Sequence, residues 1–536
     1  MTSTDELIAA LQAAAGPSQV RTALDERTFF STDISRRGDA AEAVVAIADS
    51  AVLATVLRLC HQAGRIVLPR GGGFSYTGGY VPVDARSVII DLRGMNRIVE
   101  INSTDMYVEV EAGCTWERLY AALKQQGLRT PYFGPMSGFN ATVGGALSQG
   151  SFFLGSTQHG VAAESVLALE LALADGTLVK TGSWAATNGC GPFLRNYGPD
   201  LTGLFLSDSG ALGFKTRVVL KLIPFPPHQQ YGSYAFDNEA EPIKAMSAIG
   251  RAGLTAECYC WDPYFVKVIA ATSTGLAEDL KFLSGVASGG GSRLKGLANV
   301  ARIALAGKKV FSGDIFILNV TIDDISAAGA AARLDAVAAL VAAQHGRPIT
   351  ASAPMAMRGT PFTDFNVPER RLARRNLPVN SMSPHSKVGA VSADVRSLLN
   401  TNQALMEQHG ISCGVIYFCV GAQAMCCEPL LYWNDEEHFQ HNRLSERSDL
   451  AALAAYQERP PATLAVAELR RQLAALFERH GCAHMQIGKA YPYLRTRAPA
   501  TATLLRELKH LLDPQALMNR GALGFGAATD TDTHHD

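Results

Sequence analysis

Three short glycine-dense stretches constrain this chain more than any other feature. The first reads Pro69-Arg70-Gly71-Gly72-Gly73-Phe74-Ser75-Tyr76-Thr77-Gly78-Gly79, five glycines in eleven residues, directly after the apolar run 65–69. Glycine accepts positive φ and lets a backbone approach a ligand without a Cβ in the way. Successive N–H groups in such a loop form a concave anion site suited to phosphate. Taken alone, the stretch is read equally well as a tight surface turn. The second stretch, 134–150, contains Gly134, Pro135, Met136, Ser137, Gly138, Thr142, Gly144 and Gly145. It starts as an extended loop and becomes a helix near Val143, whose N–H groups are then available to a negative charge. The third, 207–213, places Gly210 and Gly213 ahead of a strand at 214–223.

A chain of 536 residues is long for one core, and two to four domains are expected from length alone. Its net charge of −1 gives no global field toward nucleic acid or acidic lipid. The first residues are acidic and polar, unlike a secretory leader, and Ser3 and Glu6 have capping-box spacing for a first helix. No apolar run approaches the ~20 residues that span a bilayer. Ten cysteines show no Cys-x-x-Cys pair, and a reduced cytoplasmic location is expected.

Along the chain, residues 50–63 read as a helix closed by Gly64, followed by strands at 65–68, 87–91, 97–102 and 107–112 and a helix over 115–126. Asp175-Gly176 signals a hairpin between 165–174 and 178–181. Pro224, Pro226 and Pro227 mark a domain boundary, giving domains 1–227 and 228–495, a C-terminal return 496–526 and a disordered tail 527–536. In the second domain a strand is expected at 314–321, then a helix capped by Asp323 or Asp324. A mobile loop is expected at 284–296, two buried strands within 414–433, and a helix at 504–512.

Together the three glycine stretches are far more specific than any one of them. With Leu92-Arg-Gly-Met-Asn-Arg-Ile-Val-Glu-Ile101, Asn196-Tyr-Gly-Pro-Asp-Leu-Thr-Gly-Leu-Phe205 and the closing Asn519-Arg-Gly521, the chain resembles the vanillyl-alcohol oxidase/p-cresol methylhydroxylase flavoproteins. It has no Rossmann fingerprint. The resemblance implies an α+β fold, with a two-part FAD-binding domain under an antiparallel-sheet substrate cap. It also implies FAD with its pyrophosphate on the 71–74 backbone and its ring system over 134–150. Pro69, Arg70, Ser75, Gly78, Gly79, Thr142, Gly144, Gly145, Gly210, Gly213 and Asn519 are carried over as cofactor-binding residues. Many relatives attach the flavin through a histidine after the glycine run, or before a Ser-Pro segment of the cap. Here Phe74 follows the run and His385 comes after Ser383-Pro384, so a non-covalent FAD is expected.

The implied activity is transfer of a hydride from a small alcohol to flavin N5, the substrate being a phenolic, benzylic or allylic alcohol or a para-alkylphenol. The alternative is a D-2-hydroxy-acid dehydrogenase, in which arginines such as Arg358, Arg370, Arg371, Arg374 or Arg375 clamp a carboxylate. A flavin-less binding protein is a third reading. The electron acceptor is O₂ or another carrier, and a homodimer is the candidate assembly. Candidate catalytic residues are Tyr76, His385, His484, Tyr491, Tyr493 and Arg495. If 484–488 is a strand, His484 and Gln486 share a face; the other reading of His484 is a satisfied structural histidine. No metal is expected: His438 and His441 lack a third ligand.

Overall fold

The computed structural model describes residues 2–272, 314–362, 374–434 and 461–526. The expected loop at 284–296, Arg370, Arg371, His438, His441 and the tail 527–536 lie outside them.

Three main sheets carry the fold. The first is built from β1 (Val20–Arg21), β2 (Ala43–Ala46), β3 (Ile66–Arg70) and β4 (Ser87–Asp91), in the order β1-β2-β4-β3. Strands β2, β4 and β3 are parallel. They are apolar on both faces because the helix Ser50–Gln62 covers one side and a Phe29, Phe30 and Leu517 cluster the other. The second sheet joins β5 (Ile98–Asn102), β6 (Tyr107–Glu111), β8 (Val166–Ala172), β9 (Leu178–Lys180) and β10 (Phe214–Lys221), in the order β5-β6-β10-β8-β9. Gly176, at φ +85°, closes the β8–β9 hairpin. A small ribbon pairs β7 (Leu128–Arg129) with β11 (Ile223–Pro224).

From His228 the chain enters a third, antiparallel sheet. Its strands are β12 (His228–Phe236), β13 (Glu257–Trp261), β14 (Phe316–Asp324), β15 (Arg347–Ile349), β16 (Arg374–Pro378), β17 (Ser381–Pro384), β18 (Ser412–Val420) and β19 (Ala424–Asn434). Helices pack on one face through Val337, Val391, Leu469 and Phe477. The opposite face presents Tyr259, Trp261, Ile416, Phe418 and Leu430 to Phe152 and Phe153 of the first half. This alternation along β18 and β19 follows from the two-residue period of a strand.

The helix after β14 starts at Ala327 with Ser326 as its cap; Asp324 instead accepts from Ser326 N–H. The last helix, Pro499–Leu512, begins earlier than the 504–512 periodicity indicates because Pro499 occupies its first turn. Beyond it, the backbone of Leu517 and Asn519 bonds Val67 of β3. A buried ion cluster joins the two halves: Arg129 of β7 meets Asp323 of β14 at 2.8 Å, and Arg358 reaches Asp323 at 3.0 Å and Glu257 at 2.9 Å. Among the described residues no helix is long and apolar enough to cross a membrane.

Candidate active site

The three glycine stretches converge because each lacks the side chains that would hold it off the others. A Cβ on Gly71 would lie 2.3 Å from Thr142 Oγ1, and one on Gly72 only 2.1 Å from the Asn140 carbonyl. A Cβ on Gly210, which has φ +71°, would meet Pro69 at 2.5 Å. Thr142 also caps the helix Val143–Gln149, its hydroxyl accepting from Gly145 N–H. The N–H groups of Gly71, Gly72, Gly73 and Phe74 donate to no acceptor among the described residues. Four consecutive unpaired donors need a partner, and they line a cavity.

That cavity runs from this cradle to the apolar face of the third sheet. Pro69, Gly71, Gly72, Gly73, Phe74, Ser75, Pro135, Met136, Ser137, Thr142, Gly144, Gly145, Gly210 and Gly213 line it. Five expected cofactor residues do not. Arg70 folds beneath the loop, its guanidinium enclosed by the rings of Phe29, Phe30 and Tyr80 at 4.6–5.1 Å. Gly78 packs on Arg36, Gly79 on Gln149 and Gly138 on Phe362. Asn519 is a clamp: its amide donates to the carbonyls of Gly79 and Ser209, tying the first glycine stretch to the third.

Of the six catalytic candidates, only Tyr76 lines the cavity. Burial first, then the nearby Glu428, pushes its phenol well above the ordinary range, and it shares a side-chain hydrogen bond with Gln486. The other five sit elsewhere. His484 Nδ1 donates to the Asn380 carbonyl at 2.9 Å, and the ring stacks on Tyr491 at 4.0 Å. Burial lowers the His484 pKa, so the ring is held neutral. The Tyr491 hydroxyl accepts from Asn380 N–H. Tyr493 lies under Arg497, and Arg495 is an exposed ion pair with Glu478. His385 donates Nε2–H to the Ala422 carbonyl.

The expected strand at 484–488 is absent. Gln486 has φ +55° and Gly488 φ +54°; the pairing with Met382 stops at Ala483, and within the segment the carbonyls of Ile487 and Gly488 accept from Ala490 and Leu523 N–H. His484 and Gln486 therefore do not share a face: Gln486 lines the cavity while His484 stands one layer behind it. Asn380 fixes this arrangement, since its side chain also accepts from Met485 N–H.

One lining residue lay unnoticed in the sequence. Glu428 of β19 points to the apolar face with Cys426 and Leu430, opposite Ile416. It is 8% exposed, and burial alone raises its carboxyl pKa to about 7. The available signal was its being the only charged residue within 414–433.

Residues 41–182 match the family model described as an FAD binding domain. The chain carries an FAD-binding domain. Glycolate oxidase subunit GlcD of Bacillus subtilis is 28% identical over 208 residues, covering 39% of this chain and 42% of that protein. Mitochondrial D-lactate dehydrogenase [cytochrome] 1 of Saccharomyces cerevisiae is 28% identical over 201 residues, covering 37% and 32%. The matched stretch is thus less than half the length of either relative. Over nearly the whole chain the fold is that of p-cresol methylhydroxylase solved with substrate bound, with a TM-score of 0.72 at 17% identity, covering 97% of this chain and 96% of that one.

FAD fits what lines the cavity of this FAD-binding domain. The unpaired N–H groups of 71–74 suit a pyrophosphate, and the Ser209 hydroxyl is buried without a partner among the described residues. The glycine walls leave free the space that Cβ atoms would occupy.

Proposed function

We propose that this protein is an FAD-dependent oxidoreductase that oxidises a small neutral alcohol, of the phenolic, benzylic or allylic kind, or a para-alkylphenol. One observation carries the choice of substrate class. Beyond the cradle the cavity is walled by Phe152, Phe153, Trp261, Ile416, Phe418 and Leu430. Its one cation among the described residues, Lys215, is already paired with Asp208 at 2.7 Å. A substrate carboxylate placed there would be desolvated with no counter-charge and would share the space with Glu428, a cost of several kcal/mol. An aromatic or allylic alcohol finds apolar walls and needs only its hydroxyl satisfied.

When bound, FAD supplies the two-electron acceptor. Phe74 offers no nucleophilic atom at the position after the glycine run and packs edge-on against Phe139 at 5.4 Å, which supports a non-covalent flavin. Tyr76 and Gln486 present a hydroxyl and an amide to the substrate, and the apolar wall excludes water from it. We place the enzyme in the cytoplasm, a setting consistent with its free cysteines. Its electron acceptor is O₂ or another carrier.

The second reading, a D-2-hydroxy-acid dehydrogenase, draws on the names of the sequence relatives. Against it, Arg358 is committed to Glu257 and Asp323, and Arg375 donates to the Ile34 carbonyl and lies over Trp433. Anaerobic bleaching of the flavin separates the two. Cinnamyl alcohol, 4-hydroxybenzyl alcohol and 4-ethylphenol are expected to include a reductant, whereas D-lactate, glycolate and D-2-hydroxyglutarate leave the spectrum unchanged. Bleaching by a hydroxy acid alone would reverse the assignment.

A further inference from the structure

Glu428 is an anomaly of the third sheet. Every other residue that β18 and β19 turn toward the cavity is apolar or a cysteine, yet here a carboxyl group is buried to 8% exposure. It takes part in no hydrogen bond or ion pair among the described residues. Structural carboxylates elsewhere in this chain are satisfied: Asp208 by Lys215, Glu257 and Asp323 by Arg358, and Glu239 and Asp262 by Arg396. A buried acid with no partner is costly and has no packing rationale. It lines the cavity beside the Tyr76 hydroxyl and the Gln486 amide, neither of which can take up a proton near neutral pH.

We propose that Glu428 is the proton acceptor for the substrate alcohol. The assignment rests on the oxidoreductase reading above. As the alcohol is oxidised, its O–H bond breaks and the proton passes to a Glu428 carboxylate oxygen. Its C–H bond breaks with the electron pair, which leaves as hydride to the bound flavin, and the C–O bond becomes a carbonyl. Charge and electrons balance: the flavin gains two electrons and the carboxylate becomes a neutral acid, later discharged to solvent.

Proton transfer of this kind is most efficient when the base titrates near the working pH. Burial raises the Glu428 carboxyl to about 7. The titratable groups that face it are Tyr76 from the glycine loop, Tyr491 from the segment behind it and Cys426 from its own strand. Burial moves all three upward, Tyr491 to about 12 and the other two well above their ordinary values. None of these three titrates between pH 5 and 9, but burial also lowers Lys489, bonded to the Val81 carbonyl, to about 7, so an inflection near neutrality is assigned to Glu428 by its loss in Glu428→Gln.

Two measurements test this. In anaerobic stopped flow with an alcohol that bleaches the wild type, the reduction rate is expected to rise with pH through about 7 and then level off. Glu428→Gln is expected to lower that rate by about 10²–10⁴-fold and abolish the inflection, with FAD content and resting spectrum unchanged. Glu428→Asp should recover part of the rate and keep an inflection. A Gln variant that reduces at the wild-type rate, or keeps the inflection, overturns the assignment while leaving the alcohol reading intact. The second measurement needs no turnover. Infrared difference spectra of wild type minus Glu428→Gln should show a protonated-carboxyl C=O stretch that disappears as pH rises through about 7. No such band, or a stretch that titrates near 4.5, sinks the proposal whatever the substrate. If the flavin is bleached only by hydroxy acids while that band titrates as expected, the substrate reading fails and Glu428 is still the titrating acid. Bleaching only by a cationic amine would make Glu428 a counter-ion, and the proton-acceptor role would be withdrawn.

Discussion

At the glycine cradle the chain offers backbone donors and no side chains; across the same cavity, the cap wall offers side chains from three different strands. The cradle is specified by what is missing, since a Cβ at Gly71, Gly72 or Gly210 would strike Thr142, the Asn140 carbonyl or Pro69. The wall is specified by register: Ile416 and Phe418 on β18 lie opposite Glu428 and Cys426 on β19. One end is therefore built to hold a common cofactor with little regard to sequence context. The other end is built to choose a substrate, and a single residue there changes the chemistry on offer.

The sharpest way to break this comparison is at the cradle. Gly72→Ala puts a methyl 2.1 Å from a backbone oxygen that cannot swing aside. Overpacking of this kind costs up to about 3 kcal/mol, so FAD affinity should fall by about a hundredfold, measured by flavin fluorescence on titration into apoprotein. Retention of full affinity would show that the loop is a turn and not a grip.

At the wall the expected sign is the reverse. Glu428 has a folded-state pKa raised to about 7 from an ordinary 4.5. Charging it in the fold is thus penalised: the cost is absent below about pH 4.5, grows as pH rises between the two values and is complete above 7. Glu428→Gln should be more stable than wild type by up to about 3 kcal/mol at pH 8, and equal to it near pH 4.5, by chemical denaturation at both. Equal stability at pH 8 would mean that a counter-charge reaches the carboxylate.

The smallest effect is expected behind the wall. His484→Phe keeps a ring against Tyr491 and loses one bond to the Asn380 carbonyl. A cost of about 1 kcal/mol in stability and less than a tenfold change in flavin reduction are expected, by denaturation and stopped flow. A larger loss of rate with FAD retained would return His484 to the reacting atoms.

This contrast also explains how much the sequence disclosed. The cradle was legible because glycine reports a backbone requirement at its own position, so the runs at 71–73, 144–145 and 210–213 could be read directly. Strands such as Ser87–Asp91 and Phe214–Lys221 were legible from apolar runs. The wall was not, since it is assembled from β13, β18, β19 and the loop at 152–153, and their register appears only on folding. The 484–488 segment misled for a related reason. Its polar and aromatic content suits an active site, but two positive-φ residues turn Gln486 inward and leave His484 on the Asn380 carbonyl. Arg70 and Asn519, expected among the cofactor-binding residues, instead lie beneath the glycine loop and across it, outside the cavity lining.

Asn519 also sets an order of events during synthesis. Its amide is what joins the Gly79 and Ser209 carbonyls, and it lies 440 residues after the first of them. The Val67 backbone likewise waits for Leu517 and Asn519. A nascent chain still on the ribosome has both glycine loops but not the strap between them. The grip on FAD is therefore completed only after the chain has grown past residue 519, and truncation near the C-terminus removes the strap together with the core residues Leu517, Met518, Leu523 and Phe525.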